Sequence, residues 1–466
     1  MSKVEEDTMD MTLSRQIATF AVNLRYEDLP SPVIEQAKNF LYDTIGCAYG
    51  GMHTHDVQIV LEIFRDIGGK PEATVIGFGD KFPAANTTFL NSLMCRALDF
   101  NDIYWKEDPS HPSDLIPAAL AMGERARAGM KEVLVGIVLA YEFEQRLCEY
   151  AKPGIRERKW HHATWTQFVS PIVAGKLLGL TIDQMVNAIG ISGCHNHTIG
   201  CPTAGHLTMM KNTVDPMSVQ SGVFAALMAE RGYTGTEAIF EGKEGVMDVY
   251  GPDWDTDILT RDLGETYRIM ECSMKAFPTE ALTHTHLSAT LKLVIEQDLH
   301  PEDIEEVRIA TIARAYDILF DPHKYNPTSR ETADHSLPYC IARAILDRKI
   351  TTQTFDQDNI DDPRLKELIH KIKGEACEDF EKMFPEKQPS RVTILTKKGQ
   401  EFSAYLEYPK GDPREPMTPE DLENKFCSLA ERHFSESALK SLKEMILHCD
   451  DMTATRFLDF LIECQA

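Results

Sequence analysis

The chain has 466 residues, and 73 acidic against 48 basic side chains give it a formal net charge of −25. This length predicts two domains with large apolar cores, while the negative balance argues against binding nucleic acid or an anionic membrane through bulk charge. An anionic ligand therefore requires a local pocket of positive side chains.

The first 267 residues read as one helix after another, with little β-branched alternation. Ser31 followed by Pro32 predicts a helix start, and apolar residues recur at helical spacing behind it. Asp215 followed by Pro216 predicts the start of a long helix that ends at Gly232. We therefore expect an all-helical domain over residues 1–267.

The pattern changes near residue 267. Residues 267–274 and 307–312 are predicted as strands, with a helix over 285–297 between them. Residues 391–396 and 401–408 form a predicted hairpin, because the connection K-K-G-Q supplies a glycine for the turn.

These strands predict a smaller α+β domain over residues 268–411. Behind it, Thr418 as helix cap with Pro419 begins a helical tail that spans 412–466. Leu439, Leu442 and Ile446 give this tail an apolar face. The fold class is mainly α with an α+β second domain.

A polar loop at residues 98–114 concentrates acid and base groups between two apolar helical segments. Asp99 and His111 are twelve positions apart on it, and such a loop is a plausible place for catalysis. The sequence alone also fits a blander interpretation, in which Asp99 ends a helix and His111 is a surface group. For Asn101 and Asp102 the alternatives are that they bind substrate or that they only orient the loop.

Two histidines and two lysines are further candidates. His161 and His162 precede a predicted helix, and an imidazole transfers protons near neutral pH, although one of the pair alternatively caps the helix. Lys211 and Lys275 supply the positive charge that a negative chain needs, and Lys275 lies at the domain junction, where pockets tend to form. A lone lysine is more often solvated surface.

Seven segments, in order, resemble the MmgE/PrpD family, whose members include 2-methylcitrate dehydratase and cis-aconitate decarboxylase. The segments are D-T-I-G at 43–46, L-D-F-N-D at 98–102, H-P-S at 111–113, K-L-L-G-L at 176–180, Lys211, K-A-F-P at 275–278 and A-D-H-S-L-P-Y at 333–339.

The resemblance implies a large all-helical domain, a smaller α/β-sandwich lid domain and a C-terminal tail that packs back on the first domain. It also implies a homodimer, for which the apolar face of the helix at 219–231 would suit the interface. Site residues follow residue by residue from the family motifs. The resemblance implies catalytic roles for Asp99, His111, His162, Lys211 and Lys275, and substrate binding by Asn101, Asp102, His161, Tyr325 and His335.

One position departs from the family pattern. Many members carry threonine after the second aspartate of the loop, and this chain has Ile103. The loss of a hydroxyl that suits a substrate carboxylate puts the exact substrate in doubt. For the histidine pair, His162 matches the family better than His161.

No cofactor or metal is expected. The chain lacks the short cysteine spacings of an iron–sulfur cluster, and it contains neither a P-loop nor a dinucleotide-binding glycine motif. The C-H-N-H stretch at 194–197 with Cys201 has no second ligand pair to complete a zinc site.

The cellular compartment follows from the cysteines and the N-terminus. Eleven cysteines without a C-x-x-C pair favour reduced thiols over a disulfide framework. Residues 1–11 lack an apolar signal core, and no apolar run approaches the ~20 residues that span a bilayer. We expect a cytoplasmic or organelle-matrix protein.

The resemblance implies a cofactor-independent lyase for a small polycarboxylate, and dehydration of 2-methylcitrate or a near relative is the specific prediction. Decarboxylation of cis-aconitate and epimerisation at an acidic carbon are alternatives, because all three begin with a carbanion or enolate next to a carboxylate. A non-catalytic homologue that only mediates assembly is the alternative of another class.

Overall fold

A computed structural model describes residues 11–204 and 207–465. The protein is mainly helical, with 56% of the chain in helices, and carries a small mixed sheet. The acidic N-terminal stretch lies outside the described residues apart from Met11. Across the described ranges, no helix combines the length and apolar character that crossing a bilayer demands.

The first half consists of helices joined by short loops and two small hairpins. Its helices are α1 Leu13–Asn23, α2 Ser31–Gly51, α3 His55–Ile67, α4 Ala84–Arg96, α5 Ile116–Ala126, α6 Met130–Cys148, α7 Ala163–Leu178, α8 Ile182–Ser192, α9 Met210–Glu230 and α10 Val246–Tyr250. Its strands are β1 Ala73–Thr74, β2 Lys81–Phe82, β3 Tyr104–Trp105 and β4 Pro109–Ser110.

The second half alternates short helices with the strands of one sheet. Its helices are α11 His284–Glu296, α12 Ala313–Leu319, α13 Arg330–Ala333, α14 Leu337–Asp347, α15 Gln357–Ile360, α16 Leu365–Ile369, α17 Glu378–Glu381, α18 Pro419–Ala430, α19 Glu436–Leu447 and α20 Ala454–Glu463. Its strands are β5 Ile304–Thr311, β6 Ile372–Ala376, β7 Ser390–Thr396 and β8 Glu401–Leu406.

The four-stranded sheet has the order β6, β5, β7, β8, in which β5 and β6 are parallel and the other pairs antiparallel. The predicted hairpin is confirmed, since β7 and β8 pair from Ser390 opposite Leu406, and Gly399 in the turn has a positive φ of 79°. The predicted strand at 307–312 and helix at 285–297 also form, as β5 and α11. Sequence patterns missed β6.

Two predicted boundaries are wrong. The predicted strand at 267–274 is instead a short 3₁₀ turn over Arg268–Glu271 followed by an extended segment. The amide of Arg268 donates to the buried carboxylate of Glu142 at 2.8 Å, so that this amide is not available to pair with a neighbouring strand. Only Ser273 forms a bridge, with Ile103.

The second correction concerns the long helix. Asp215 and Pro216 do not open it, because α9 begins at Met210 and continues through Pro216. Pro216 is the seventh residue of this helix, so it removes one backbone hydrogen bond, and the packing of α9 on α7 and α4 outweighs that loss. Lys211 consequently lies in the first turn of α9, held by a helix that packs on α7 and α4.

Buried apolar side chains form two large clusters, which we call the helical core and the second core. The helical core runs from Ile17 to Met274 and includes Phe426, Leu442 and Phe457 of the C-terminal helices. The second core is built from β5 to β7, α11, α14 and their connections. A small third cluster joins Leu98 and Phe100 of the polar loop to Leu429 of α18. The polar loop and residues 275–284 thus meet where the two cores adjoin.

Candidate active site

The polar loop leaves α4 by an unusual backbone conformation. The helix ends at Arg96, and Asp99 takes a positive φ of 50°, which few residues other than glycine adopt readily. The chain then pairs β3 with β4 and turns through Pro112–Leu115 into α5. This path turns the carboxylate of Asp99 toward α9 and the segment that carries Lys275.

Side chains behind the loop fix its shape. Asp102 accepts hydrogen bonds from the Ser113 amide at 3.0 Å and from the Ser113 hydroxyl at 2.5 Å. Asn101 donates to the Ser113 hydroxyl and to the carboxylate of Asp114, both at 3.0 Å. Burial raises the pKa of Asp102 to about 6. Neither Asn101 nor Asp102 lines the cavity described below, so their geometry suits bracing the loop.

The centre of the site is a buried group of one carboxylate and two lysines. Asp99 Oδ1 lies 2.5 Å from Lys275 Nζ, and Asp99 Oδ2 lies 2.9 Å from Lys211 Nζ. All three residues are at most 5% exposed. Lys211 comes from the helical core and Lys275 from the segment that enters the second core. The one carboxylate of Asp99 therefore pairs with a cation from each core.

The environments of the two lysines differ. Burial opposes the charge on Lys211, but the carboxylates of Asp334 and Asp99 raise its pKa above the ordinary value. Burial lowers the pKa of Lys275, which has only Asp99 to counter it. Burial also favours neutral Asp99, yet Lys211 and Lys275 hold its pKa well below the usual range. Asp99 is therefore an anion, and Lys275 gives up its proton more readily than Lys211 does.

His111 faces His162, with ring centroids 5.5 Å apart. His111 Nδ1 lies 2.6 Å from the backbone carbonyl of Asp102, and because a carbonyl only accepts, this nitrogen is assigned the proton. Burial, with the nearby Arg96 and Lys275, lowers the pKa of His111 well below its usual value. His111 is thus neutral, and its Nε2 lone pair is available to accept a proton.

The surroundings of His162 are the reverse of those of His111. His162 Nε2 lies 3.4 Å from Asp215 Oδ2, a fully buried carboxylate on α9. Burial favours neutral Asp215, but His162 and Arg96 hold its pKa well below the usual range. A carboxylate therefore lies within ion-pair distance of His162, whereas none among the described residues lies that close to His111.

The remaining predicted residues occupy different places. His335 lines the cavity, with its Nδ1 2.6 Å from Asp334 Oδ1 and 3.4 Å from Lys211 Nζ. His161 stacks 4.0 Å from His162 but faces an adjoining cavity. Tyr325 bonds the carbonyl of Ile372 and lies outside the site.

A cavity of about 60 Å³ lies between these groups, and a wider one of about 740 Å³ adjoins it. Arg156, Thr203 and His335 line both, so the wider cavity is a continuous approach to the narrow one. Ile103 lines the narrow cavity as the resemblance implied, and it presents an apolar surface there.

Sequence reasoning missed several groups of this site. Arg96 and Arg156 bring two more cations to the cavity, and Glu280 brings a carboxyl. The signal for Arg96 was an arginine inside an otherwise apolar helical run. Asp334, next to His335 in a quoted motif, offered a comparable signal. Nothing in sequence marked Arg156 or Glu280.

Two groups of side chains have the donor atoms that a metal ion uses. They are His161 with His162 and Asp215, and Asp99 with Asp334 and His335. Each already contacts a cationic side chain, because Arg96 lies 3.6 Å from Asp215 and Lys211 lies 2.9 Å from Asp99. The protein's own cations therefore compete for the carboxylates that a metal would need.

Together, the fold and the cleft define a helical protein with a cationic acid and base site between two cores. The N-terminal domain model of the MmgE/PrpD family matches residues 15–259, and its C-terminal domain model matches residues 277–451. The chain belongs to the MmgE/PrpD family.

Named relatives align over most of the chain. A cis-aconitate decarboxylase of Aspergillus terreus is 25% identical over 97% of this chain and 96% of its own length. A human cis-aconitate decarboxylase is 24% identical over 97% of this chain and 95% of its own length. A 2-methylcitrate dehydratase of Salmonella typhi is 25% identical over 84% of each chain.

Proposed function

We propose that the protein is a lyase for a small polycarboxylate, and that it removes water from a citrate-like β-hydroxy acid. The observation that carries this proposal is the pair of facing imidazoles, one neutral and one beside a carboxylate, next to Lys211 and Lys275. The carbonyl of Asp102 leaves Nε2 of His111 as a proton acceptor, whereas Nε2 of His162 faces a carboxylate, and this geometry assigns the base and the acid.

His111 is the proposed base. Its Nδ1 proton is committed to the carbonyl of Asp102, which leaves Nε2 to take the proton from the carbon next to a substrate carboxylate. The electron pair left on carbon delocalises into that carboxylate as an enolate. Cations near the carboxylate stabilise this enolate, since they act in a buried site of low dielectric.

His162 is the proposed acid. Its Nε2 faces the carboxylate of Asp215, and the ring gives a proton to the departing hydroxyl so that the group leaves as water. The carbon–carbon double bond forms as the carbon–oxygen bond breaks. Arg96 lies 3.6 Å from the same Asp215 oxygen and limits the movement of that carboxylate.

The carboxylates of the substrate are assigned to the cations of the cleft. Lys211 and Lys275 converge on Asp99, and either can turn one proton toward a ligand without leaving it. No carboxylate among the described residues lies within ion-pair distance of Arg156, and Arg156 lines both cavities. Arg156 is therefore the cation most available to an incoming acid.

Decarboxylation of a cis-aconitate-like acid is the second candidate. It is favoured by the length of the alignment, because relatives that carry this name match 97% of the chain. In this reaction the bond between carbon and a carboxylate breaks, and the released pair is protonated on an allylic carbon. Only the acid His162 and the cations are then needed.

The test is to incubate the purified protein with 2-methylcitrate, citrate and cis-aconitate and to follow the products by NMR. Formation of an unsaturated acid without carbon dioxide supports dehydration, and release of carbon dioxide from cis-aconitate supports decarboxylation. Loss of stereochemical purity without either change indicates epimerisation. A folded protein that converts none of these acids contradicts the proposal and favours an assembly role.

Ile103→Thr is a matched variant for substrate choice. It restores the hydroxyl that many family members carry at this position of the cavity wall. If the missing hydroxyl decides substrate preference, this variant changes the ranking of the acids without loss of the fold. An unchanged ranking shows that other residues set the preference.

A homodimer in a reducing compartment, the cytoplasm or an organelle matrix, completes the proposal. The exposed Met217 and Phe224 on α9 suit an interface between two copies, and all eleven cysteines are free thiols. Sedimentation of the purified protein would give a dimer mass, and a Phe224→Glu variant would sediment as a monomer. A wild-type monomer at micromolar concentration contradicts this part.

A further inference from the structure

The side chain of Glu280 is a carboxyl group in the same cleft in which the proposed substrate places its own carboxylates. It lies between Lys275 and α11, is 9% exposed, and lines the narrow cavity with Arg156. Its Oε2 accepts the amide of Leu282 at 2.7 Å, and its own amide donates to the carbonyl of Asp334 at 3.1 Å. These bonds fix the side chain, and no described residue bonds Oε1.

The groups that face Glu280 do not pair with it directly. Lys275 is bonded to Asp99, and Arg156, Lys324 and Cys340 are the other titratable or charged neighbours. Burial raises the pKa of Glu280 to about 7, Lys275 and Arg156 act against this, and Asp99 adds to it. The carboxyl is consequently close to half protonated at neutral pH before any ligand arrives.

An ionised Glu280 and a substrate carboxylate repel each other in so small a cavity. A protonated Glu280 has the opposite effect, because its hydroxyl donates a strong hydrogen bond to a carboxylate. Entry of an anion also favours the protonated form, since a negative charge nearby raises the pKa of the carboxyl group. Binding and protonation should therefore promote one another.

We propose that Glu280 is a substrate-binding residue that acts in its protonated form, donating a hydrogen bond from Oε1 to a carboxylate of the bound acid. This proposal rests on the proposed function, because it assumes a polycarboxylate in this cavity. Each molecule of acid then enters together with one proton from solution.

The test is calorimetric binding of tricarballylate, a saturated tricarboxylate with no hydroxyl to lose, between pH 6.5 and 8.5. Titrations in phosphate and in Tris, whose protonation enthalpies differ, measure how many protons binding takes up. The wild type should take up about half a proton near pH 7 and close to one proton at pH 8 and above, where its Kd should approach a tenfold rise per pH unit. Glu280→Gln keeps the shape and the donor, so its Kd should change little with pH and its proton uptake should disappear.

Glu302→Gln is the matched control, because Glu302 is an exposed glutamate in the short turn before β5, outside the cavity. It should retain the wild-type proton uptake and pH dependence. The proposal is overturned if the wild type binds tricarballylate without proton uptake, which needs no variant, or if Glu280→Gln keeps the wild-type uptake. Failure of the wild type to bind tricarballylate and to convert any acid overturns the proposed function itself.

Discussion

On the helical side, the polar loop that carries His111 is braced by several hydrogen bonds among its own residues, whereas the side chains from the second core reach the cavity on one short segment and one helix start. His111 is held by the carbonyl of Asp102, and Asp102 is held in turn by Ser113. Lys275, by contrast, bonds only to Asp99. The difference indicates a division of work, in which the helical core sets proton transfer, whereas the two cores share the binding of charge, through Lys211 and Arg156 on one side and Lys275 on the other.

One group of charged side chains, centred on Asp99, links the two cores. Asp99 pairs with Lys211 and Lys275 at once, and Lys211 also lies 3.5 Å from Asp334 beside His335. These contacts join the two cores through charge. Any displacement of one core from the other separates Asp99 from a lysine and leaves a buried charge without its partner.

The largest effect is expected from a change at Asp99, which links the two cores. Asp99→Ala leaves two buried ammonium groups with one carboxylate fewer, which should lower the free energy of unfolding by about 3–5 kcal/mol and abolish measurable turnover. Denaturant titration and product formation measure the two effects. Asp379→Ala removes an exposed partner of Lys382 and should leave the free energy of unfolding almost unchanged. Equal costs for the two variants would contradict the central role of Asp99.

A pair of histidine variants sharpens the division of work. His111→Gln should lower kcat by about 10²–10⁴ with little change in KM, because it removes a proton acceptor. His335→Gln should instead raise KM about tenfold with kcat nearly unchanged, because it removes a ring that contacts Lys211 and lines the cavity. Steady-state kinetics separate the two outcomes. The division fails if both variants lower kcat alike.

The C-terminal helices offer a smaller effect on the helical side alone. Lys425 on α18 donates to the carbonyl of Phe100 at 2.7 Å and pairs with the buried Asp43 at 2.6 Å. Lys425→Met removes this support of the polar loop and should cost about 1–3 kcal/mol in the free energy of unfolding. Lys440→Met, at an exposed pair with Glu436, should cost almost nothing. If Lys425→Met leaves the free energy of unfolding unchanged, the polar loop keeps its conformation without support from Lys425.

The smallest effect concerns the second core and pH. Because the pKa of Glu280 is raised from 4.5 to about 7 in the folded protein, its contribution to stability is present below pH ~4.5 and is lost as the pH rises through about 7. Glu280→Gln lacks this loss, so its advantage over the wild type should grow as the pH rises between those values and then level off. Denaturant titrations at pH 5 and pH 8 measure it. An advantage that shrinks with rising pH contradicts the assignment.

The sequence was informative where local rules decide the outcome. Helical spacing, the glycine turn between β7 and β8, and the Thr418 cap with Pro419 depend on near neighbours. The division of the chain at residues 267 and 411 stays a prediction. The helix start predicted at Pro216 was wrong because the packing of α9 on its neighbours outweighs the single hydrogen bond that proline removes.

The family motifs located most of the candidate site, whereas spacing alone did not. Lys211 and Lys275 meet Asp99 across 112 and 176 positions of the chain, and no local pattern encodes such a contact. Arg156 and Glu280 were missed for the same reason, since only the meeting of the two cores makes them part of a cavity. Tyr325 shows the opposite case, a motif match that the fold turns away from the site.

The most direct measurement is a crystal structure of the protein with tricarballylate bound. The account predicts the ligand in the narrow cavity, with one carboxylate on Lys211 or Lys275, a second on Arg156, and a carbon facing Nε2 of His111. A ligand that binds elsewhere, or a cavity in which Asp99, Lys211 and Lys275 point away from the acid, would contradict it.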